Sequence, residues 1–193
     1  MQAGHSRGKT MQAQPQIQRP PGTGRPSRRQ RGATLLEAIA FLGVAAIVLL
    51  GALSLFNSSF TSASSDRLVQ ETNAIASNVR SLYSSPNTGG YQALSMTDMV
   101  TEGVFPTSLV VNSTNSTVSN EWGGTVTVAL ANGIPQLTYT NVPQSICIRA
   151  LTSSTNWASI TVNSSSLGTT PTIAQAQSAC SSLTSNTMAW GFV

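Results

Sequence analysis

The sequence predicts an α+β fold in which one long amino-terminal helix packs on an antiparallel β-sheet. Three observations carry this prediction. Residues 38–56 form an apolar run without charge, residues 68–82 repeat apolar side chains at helical spacing, and residues 125–140 read as two strands joined by a tight turn. A run of strands and helices after one long helix is typical of α+β proteins. The length of 193 residues suits one domain of about 100–150 residues with additional segments.

Charge is distributed unevenly along the chain. Residues 1–32 contain seven arginines and lysines and no acid, whereas residues 33–193 contain three arginines against six acids, a balance of −3. The basic isoelectric point therefore belongs to the first segment. We predict no specific nucleic-acid binding by the remainder.

The apolar run indicates a membrane-spanning helix. Its 19 residues, Ala38 to Phe56, extend about 28 Å as a helix, close to the roughly 30 Å of bilayer hydrocarbon. Basic residues before such a span keep that end in the cytoplasm. A secretory signal peptide cleaved near Ser54 is the alternative, but its apolar region is usually about 7–15 residues long. The acidic Glu37 at the front edge is also unusual for a signal peptide.

The residues around Glu37 carry a more specific resemblance. Residues 29–37 read Arg-Gln-Arg-Gly-Ala-Thr-Leu-Leu-Glu, which resembles the class III signal of type IV pilins. In that family a prepilin peptidase cleaves after the glycine, which here places cleavage between Gly32 and Ala33. The new first residue is N-methylated, and a glutamate stands fifth, as Glu37 does from Ala33. A simpler interpretation is that Glu37 only reaches to the lipid headgroups.

The resemblance implies a domain organisation. Residues 1–32 are the cleaved leader, residues 33–56 the transmembrane and polymerisation helix, and residues 57–193 the globular head. Alanine at the first mature position and a leader of 32 residues depart from the commonest pattern, and the type IVb subgroup tolerates both. A start at Met11 would leave 22 leader residues.

The first helix is expected to continue into the head. A stripe of side chains recurs with spacings of 4, 3, 4 and 3: Leu68, Thr72, Ile75, Val79 and Leu82. The charged side chains Asp66, Arg67, Glu71 and Arg80 fall on other faces. Pro86 and the turn at 87–90 end the helix. The predicted helix spans 33–84 and divides the head into 57–85 and 86–193.

The rest of the head is predicted from local signals. Asn132-Gly133 indicates a type I′ turn between two strands, Ser95 an N-cap, and Pro143 and Pro171 helix starts. The predicted elements are helices 96–102, 143–151 and 171–183 and strands 125–131, 134–140, 157–163 and 189–193. Trp122 is expected to be a core aromatic, and Gly123 and Gly124 to serve the bend into the first strand.

Cys147 and Cys180 are the only cysteines. Outside the cytoplasm such a pair most often forms a disulfide. Two buried free thiols are the alternative, while a redox or metal site lacks both a CxxC motif and a nearby His.

Several head features also resemble type IVb pilins of plasmid thin pili and related enterobacterial pili. These are residues 103–106, residues 120–124, Val142-Pro143 before the Cys147 helix, and the second cysteine near the carboxyl end. The resemblance implies a structural subunit that forms a homo-oligomeric helical filament. In that filament Glu37 pairs with the Ala33 amine of a neighbouring copy.

The implied partners are the prepilin peptidase, the inner-membrane pilus assembly machinery and, before assembly, the membrane. The implied location is the bacterial inner membrane, with the leader cytoplasmic and the head periplasmic, and then the extracellular pilus. Adhesion, aggregation and conjugative contact are the roles that this implies. A pseudopilin of a secretion system and a signal-anchored periplasmic binding module are the alternatives.

We predict no enzymatic activity and no cofactor or metal. The only histidine is His5, in the leader. A Ser-His-Asp site therefore cannot be assembled in the head.

Overall fold

The computed structural model describes residues 34–84, 89–153 and 156–193. The leader, the predicted cleavage site Gly32–Ala33, Pro86 and the first half of the predicted 87–90 turn lie outside the described residues. The chain divides into two units, Met1–Val44 and Ala45–Val193.

Helix α1 spans Leu35–Tyr83, 49 residues, close to the predicted 33–84. Thr34 precedes it, and the carbonyl of Thr34 accepts from the Ala38 N–H at 3.0 Å. From Leu68 onward the predicted stripe faces the sheet: Leu68, Thr72, Ile75 and Val79 are buried and Leu82 is partly buried.

One seven-stranded sheet forms the other layer of the second unit. Its strands are β1 (Val110–Asn112), β2 (Thr117–Ser119), β3 (Thr125–Ala131), β4 (Ile134–Val142), β5 (Ser159–Val162), β6 (Ser165–Gly168) and β7 (Asn186–Gly191). The order is β1-β2-β3-β4-β7-β5-β6, and every neighbouring pair is antiparallel. The α+β prediction is therefore confirmed.

The β3–β4 hairpin follows the sequence closely. Strand β3 has the predicted bounds, and β4 extends two residues further, to Val142. Asn132 and Gly133 both have positive φ, 52° and 81°, as a type I′ turn requires. Alternate residues of β3, such as Val126 and Val128, point into the core.

Three short helices complete the head: α2 (Met96–Thr101), α3 (Gln144–Ser153) and α4 (Ile173–Ala179). Ser95 caps α2 as predicted, because its Oγ accepts from the Asp98 N–H at 3.4 Å. Helix α3 begins one residue after Pro143 and runs two residues past the predicted end. At α4, Thr172 and Gln175 form a capping box.

The predicted ends of α4 and β7 were wrong. Helix α4 stops at Ala179 rather than Leu183, because the Ser182 N–H donates to the buried Asn186 side chain at 3.0 Å instead of to a helical carbonyl. Strand β7 starts at Asn186, three residues before the predicted Ala189, and ends at Gly191.

The core lies between α1, the shorter helices and one face of the sheet. Its largest fully buried side chains include Trp190, Tyr139 and Phe192. The Tyr139 and Trp190 rings meet edge to face at 6.0 Å, and Trp157, which precedes β5 rather than opening it, lies 6.1 Å from Trp190. Aromatic pairs of this geometry add about 0.5–1.5 kcal/mol beyond the area that they bury.

Candidate functional site

Glu37 lies in the first turn of α1 with its side chain exposed. Its backbone N–H donates to the Thr34 Oγ1 at 3.3 Å, so Thr34 caps the helix. A carboxylate in the first turn is favoured by the helix macrodipole, by about 0.3–1 kcal/mol. Gly32 and Ala33, the residues of the predicted cleavage site, lie outside the described part of the chain.

The side chains on both sides of Glu37 form an exposed apolar surface that continues to Phe56. An 18-residue window of α1 has a mean hydropathy of 2.6, and none of it is buried. By length and composition this helix is able to cross a membrane. The exposed apolar side chains of this stretch are Leu35, Leu36, Ile39, Phe41, Leu42, Val44, Ile47, Val48, Leu49, Leu50, Leu53, Leu55 and Phe56.

A disulfide joins Cys147 in α3 to Cys180 at the end of α4. Both cysteines are fully buried. Beside the disulfide, the Gln144 Nε2 donates to the Cys180 carbonyl at 2.8 Å. The disulfide and this hydrogen bond therefore join α3 to the end of α4.

Asn186 connects the same region to the sheet. This fully buried side chain donates to the carbonyls of Val142 and Ser182 at 3.0 and 2.6 Å. Its Oδ1 accepts from Asn163 Nδ2 at 2.9 Å and from the Ser182 N–H. All of its hydrogen-bonding groups are thus used inside the head.

Glu71 is buried, although the sequence places it on a different face of α1 from the predicted stripe. It is 7% exposed. Ser108 Oγ donates to its Oε1 at 2.5 Å and the Tyr139 hydroxyl to its Oε2 at 3.3 Å.

Burial raises the pKa of Glu71, and the two hydrogen bonds oppose that rise. The pKa of Tyr139 is also raised, by burial and then by the nearby Glu71 charge. Helical spacing alone placed Glu71 on another face because the buried arc of α1 is wider than the predicted stripe.

Residues 120–124 attach the sheet to α1. Arg67 Nη1 and Glu121 Oε2 form a salt bridge of 3.0 Å. The buried Asn120 accepts from the N–H groups of Trp122 and Gly124 at 3.1 and 2.8 Å and donates to the Thr140 carbonyl at 2.8 Å. Trp122 is partly buried against the core.

The two glycines of this segment have separate roles. Gly123 has a φ of +73°, and a Cβ on Gly124 would lie 1.9 Å from the Thr140 carbonyl oxygen. The first glycine therefore makes the bend and the second lets two backbones meet.

Within the described residues no group of three or more His, Cys, Asp or Glu side chains is placed to hold a metal ion.

Comparison with protein families shows what the chain is similar to. A protein-family model described as PilS N terminal matches residues 62–192, which is more than half of the chain and most of its head. No curated protein and no solved structure matches the chain.

Proposed function

The chain belongs to the PilS N-terminal family, PilS being a type IVb pilin of enterobacterial pili, and from this premise we propose that it polymerises into a type IVb pilus through its apolar helix. Membership of the family makes it a pilin-type structural subunit. The observation that carries the finer proposal is Glu37 at the start of an exposed helix with no charged residue from 38 to 56.

The proposed precursor is an inner-membrane protein with a cytoplasmic leader, residues 1–32, a transmembrane helix, residues 33–56, and a periplasmic head, residues 57–193. A prepilin peptidase cleaves between Gly32 and Ala33, and Ala33 is then N-methylated. The assembly machinery moves the apolar helix from lipid into a fibre core with the heads outside. The fibre serves surface adhesion, aggregation or mating contact.

Glu37 supplies the docking interaction in this proposal. A carboxylate transferred into an apolar fibre core is strongly unfavourable unless a cation pairs with it. Residues 33–193 contain no lysine, and their three arginines begin at Arg67. Once the leader is removed, the α-amine of Ala33 is therefore the only cation that this chain supplies beside the apolar segment. Cleavage creates that amine and also removes a charge of +7.

Substitution of Glu37 tests this proposal. We expect Glu37→Val to leave membrane insertion and leader cleavage intact and to abolish sheared surface fibres, because the attraction that docks each incoming helix is gone. Glu37→Gln keeps the shape but loses the charge-assisted hydrogen bond, so it should be nearly as damaging. The measurement compares membrane-fraction and sheared-fibre protein for each variant.

Leu36→Val is the matched control, since it alters the adjacent exposed side chain and leaves the carboxylate in place. It should assemble normally. Normal fibre yield from Glu37→Val would show that the carboxylate does not drive assembly and would favour an anchored binding module.

A further inference from the structure

An open groove lies between the last turns of α1 and helix α2. Two cavities of about 390 and 270 Å³ form it and share Leu82 and Glu102 in their linings. Leu82, Tyr83 and Val104 give it apolar walls, and Asn78 and Ser81 add polar groups. The groove therefore combines apolar walls with a polar wall, which Asn78 and Ser81 form.

Two carboxylates edge this groove without a cation. Asp98 and Glu102 are exposed and one helical turn apart, a spacing at which like charges repel. Glu102 is also the C-cap of α2, the end at which the macrodipole disfavours negative charge. Among residues 34–84, 89–153 and 156–193 the only salt bridge is that of Arg67 and Glu121.

The cations available to this chain are few. Between residues 33 and 193 there are three arginines and no lysine. Arg67 is paired with Glu121. Arg80 Nε donates to the Val193 carbonyl at 2.7 Å, and its guanidinium lies 5.2 Å from the centre of the Phe192 ring.

Arg149 is exposed on α3 and donates to a neutral acceptor, Ser62 Oγ, at 2.6 Å. Arg149 is thus the guanidinium best placed to meet an external carboxylate.

Arg149 and the groove contact α1 at different levels. Arg149 bonds to Ser62, whereas the groove reaches α1 at Asn78, Ser81 and Leu82. The 19 residues from Ser62 to Ser81 span about 28 Å of helix, so the two cannot meet within one chain. In copies with parallel helices displaced along a common axis, they can.

We propose that the groove receives the outer face of α3, carrying Arg149, from a second copy of this chain displaced along the fibre axis. This inference rests on the proposed pilus function and adds a head-to-head contact to the helix packing. The exposed side chains of that α3 face are Ser145, Arg149 and Thr152. They suit the polar wall of the groove, while the guanidinium meets the Glu102 and Asp98 carboxylates.

A charge swap tests the contact. Arg149→Glu and Glu102→Arg should each lower sheared fibres at least tenfold, because each places like charges opposite one another at the interface. The double variant restores an opposite-charge pair, with the acid now at position 149 and the arginine at position 102. It should recover fibres to near the wild-type amount. Membrane-fraction protein and disulfide oxidation should be unchanged in all three, which separates assembly from folding.

Two control variants sharpen the test. Ser62→Ala removes the hydrogen bond within the chain and should assemble normally. Asp66→Arg combined with Arg149→Glu has the same net charge as the swap and should stay defective. Three results would overturn the contact and leave the pilus proposal standing. They are normal fibres from either single charge reversal, no recovery of fibres in the double variant, and recovery by the Asp66 combination. Absence of fibres from wild type would overturn both.

Discussion

Glu71 shows how a single residue couples helix α1 to the sheet. Its carboxylate accepts hydrogen bonds from Ser108 and from Tyr139 of β4, and burial is the largest influence on its pKa, which is raised. Arg67, one turn away on α1, lowers the pKa of the same carboxyl, and its partner Glu121 raises it. Burial of this carboxyl therefore destabilises its charged form, and the hydrogen bonds from Ser108 and Tyr139 partly offset that cost while they join α1 to the sheet.

The raised pKa gives a signed prediction. The folded head binds the Glu71 proton more tightly than the unfolded chain does, so this contribution is full below the unfolded pKa of about 4.5. It is lost as pH rises through the folded value. Glu71→Gln, which stays neutral, should be at least as stable as wild type at pH 7 and should lose its advantage as pH falls through the raised pKa of Glu71. Glu71→Ala should be less stable by about 1–3 kcal/mol, because Ser108 and Tyr139 lose their acceptor.

Thermal unfolding of the purified full chain between pH 4 and pH 8 measures both effects. The difference in unfolding temperature between wild type and Glu71→Gln reports on this carboxyl alone, because the other acids are the same in both proteins. A difference that does not change with pH, or that changes with the opposite sign, would contradict the assignment.

Among the helices and strands, the ones predicted best from sequence are those in which the side-chain pattern and the turn or cap residues indicate the same structure. The β3–β4 hairpin, the cap of α2 and the stripe of α1 are in place because each depends on neighbours within a few residues. Strands β1, β2 and β6 have only three or four residues each and are rich in Ser, Thr and Asn. Their backbone pairing rather than any apolar alternation defines them, so local patterns do not reveal them.

The burial of Glu71 depends instead on residues distant in sequence. Ser108 is 37 residues and Tyr139 is 68 residues from Glu71. Such pairings are visible only once the sheet has assembled. The Cys147–Cys180 pairing was an exception, because the sequence contains only these two cysteines and so leaves few alternatives.

The link between α3 and α4 gives a prediction for these elements. The cysteines are 33 residues apart, and closing a loop of that length stabilises by about 3–4 kcal/mol in the chain-entropy model. The double variant Cys147→Ser, Cys180→Ser should lose about that much stability and yield fewer surface fibres, with leader cleavage unaffected.

Urea unfolding of wild type and the double variant, with and without reductant, measures the effect. Reductant should destabilise wild type alone. Equal midpoints for the oxidised wild type and the double variant would show that the disulfide contributes nothing to the head.

For the whole molecule, the apolar and polar parts of α1 have different tasks in the proposed assembly. The exposed apolar residues 35–56 require either lipid or copies of themselves, because no other described element covers them. The half from Leu68 to Tyr83 is already covered by the sheet. In the proposed assembly, the apolar segment lies in the membrane in the precursor and in the core of the fibre in the subunit, and we expect removal of the basic leader to permit passage between the two.

The mass of the polypeptide in sheared surface fibres tests this account most directly. The account predicts one species that begins at Ala33, carries one additional methyl group at its amino terminus, and contains the Cys147–Cys180 disulfide. Gly32→Val should instead accumulate the uncleaved precursor in the membrane fraction and yield no fibres. A fibre or membrane polypeptide that begins near Ser54, or a surface protein that retains residues 1–32, would contradict it.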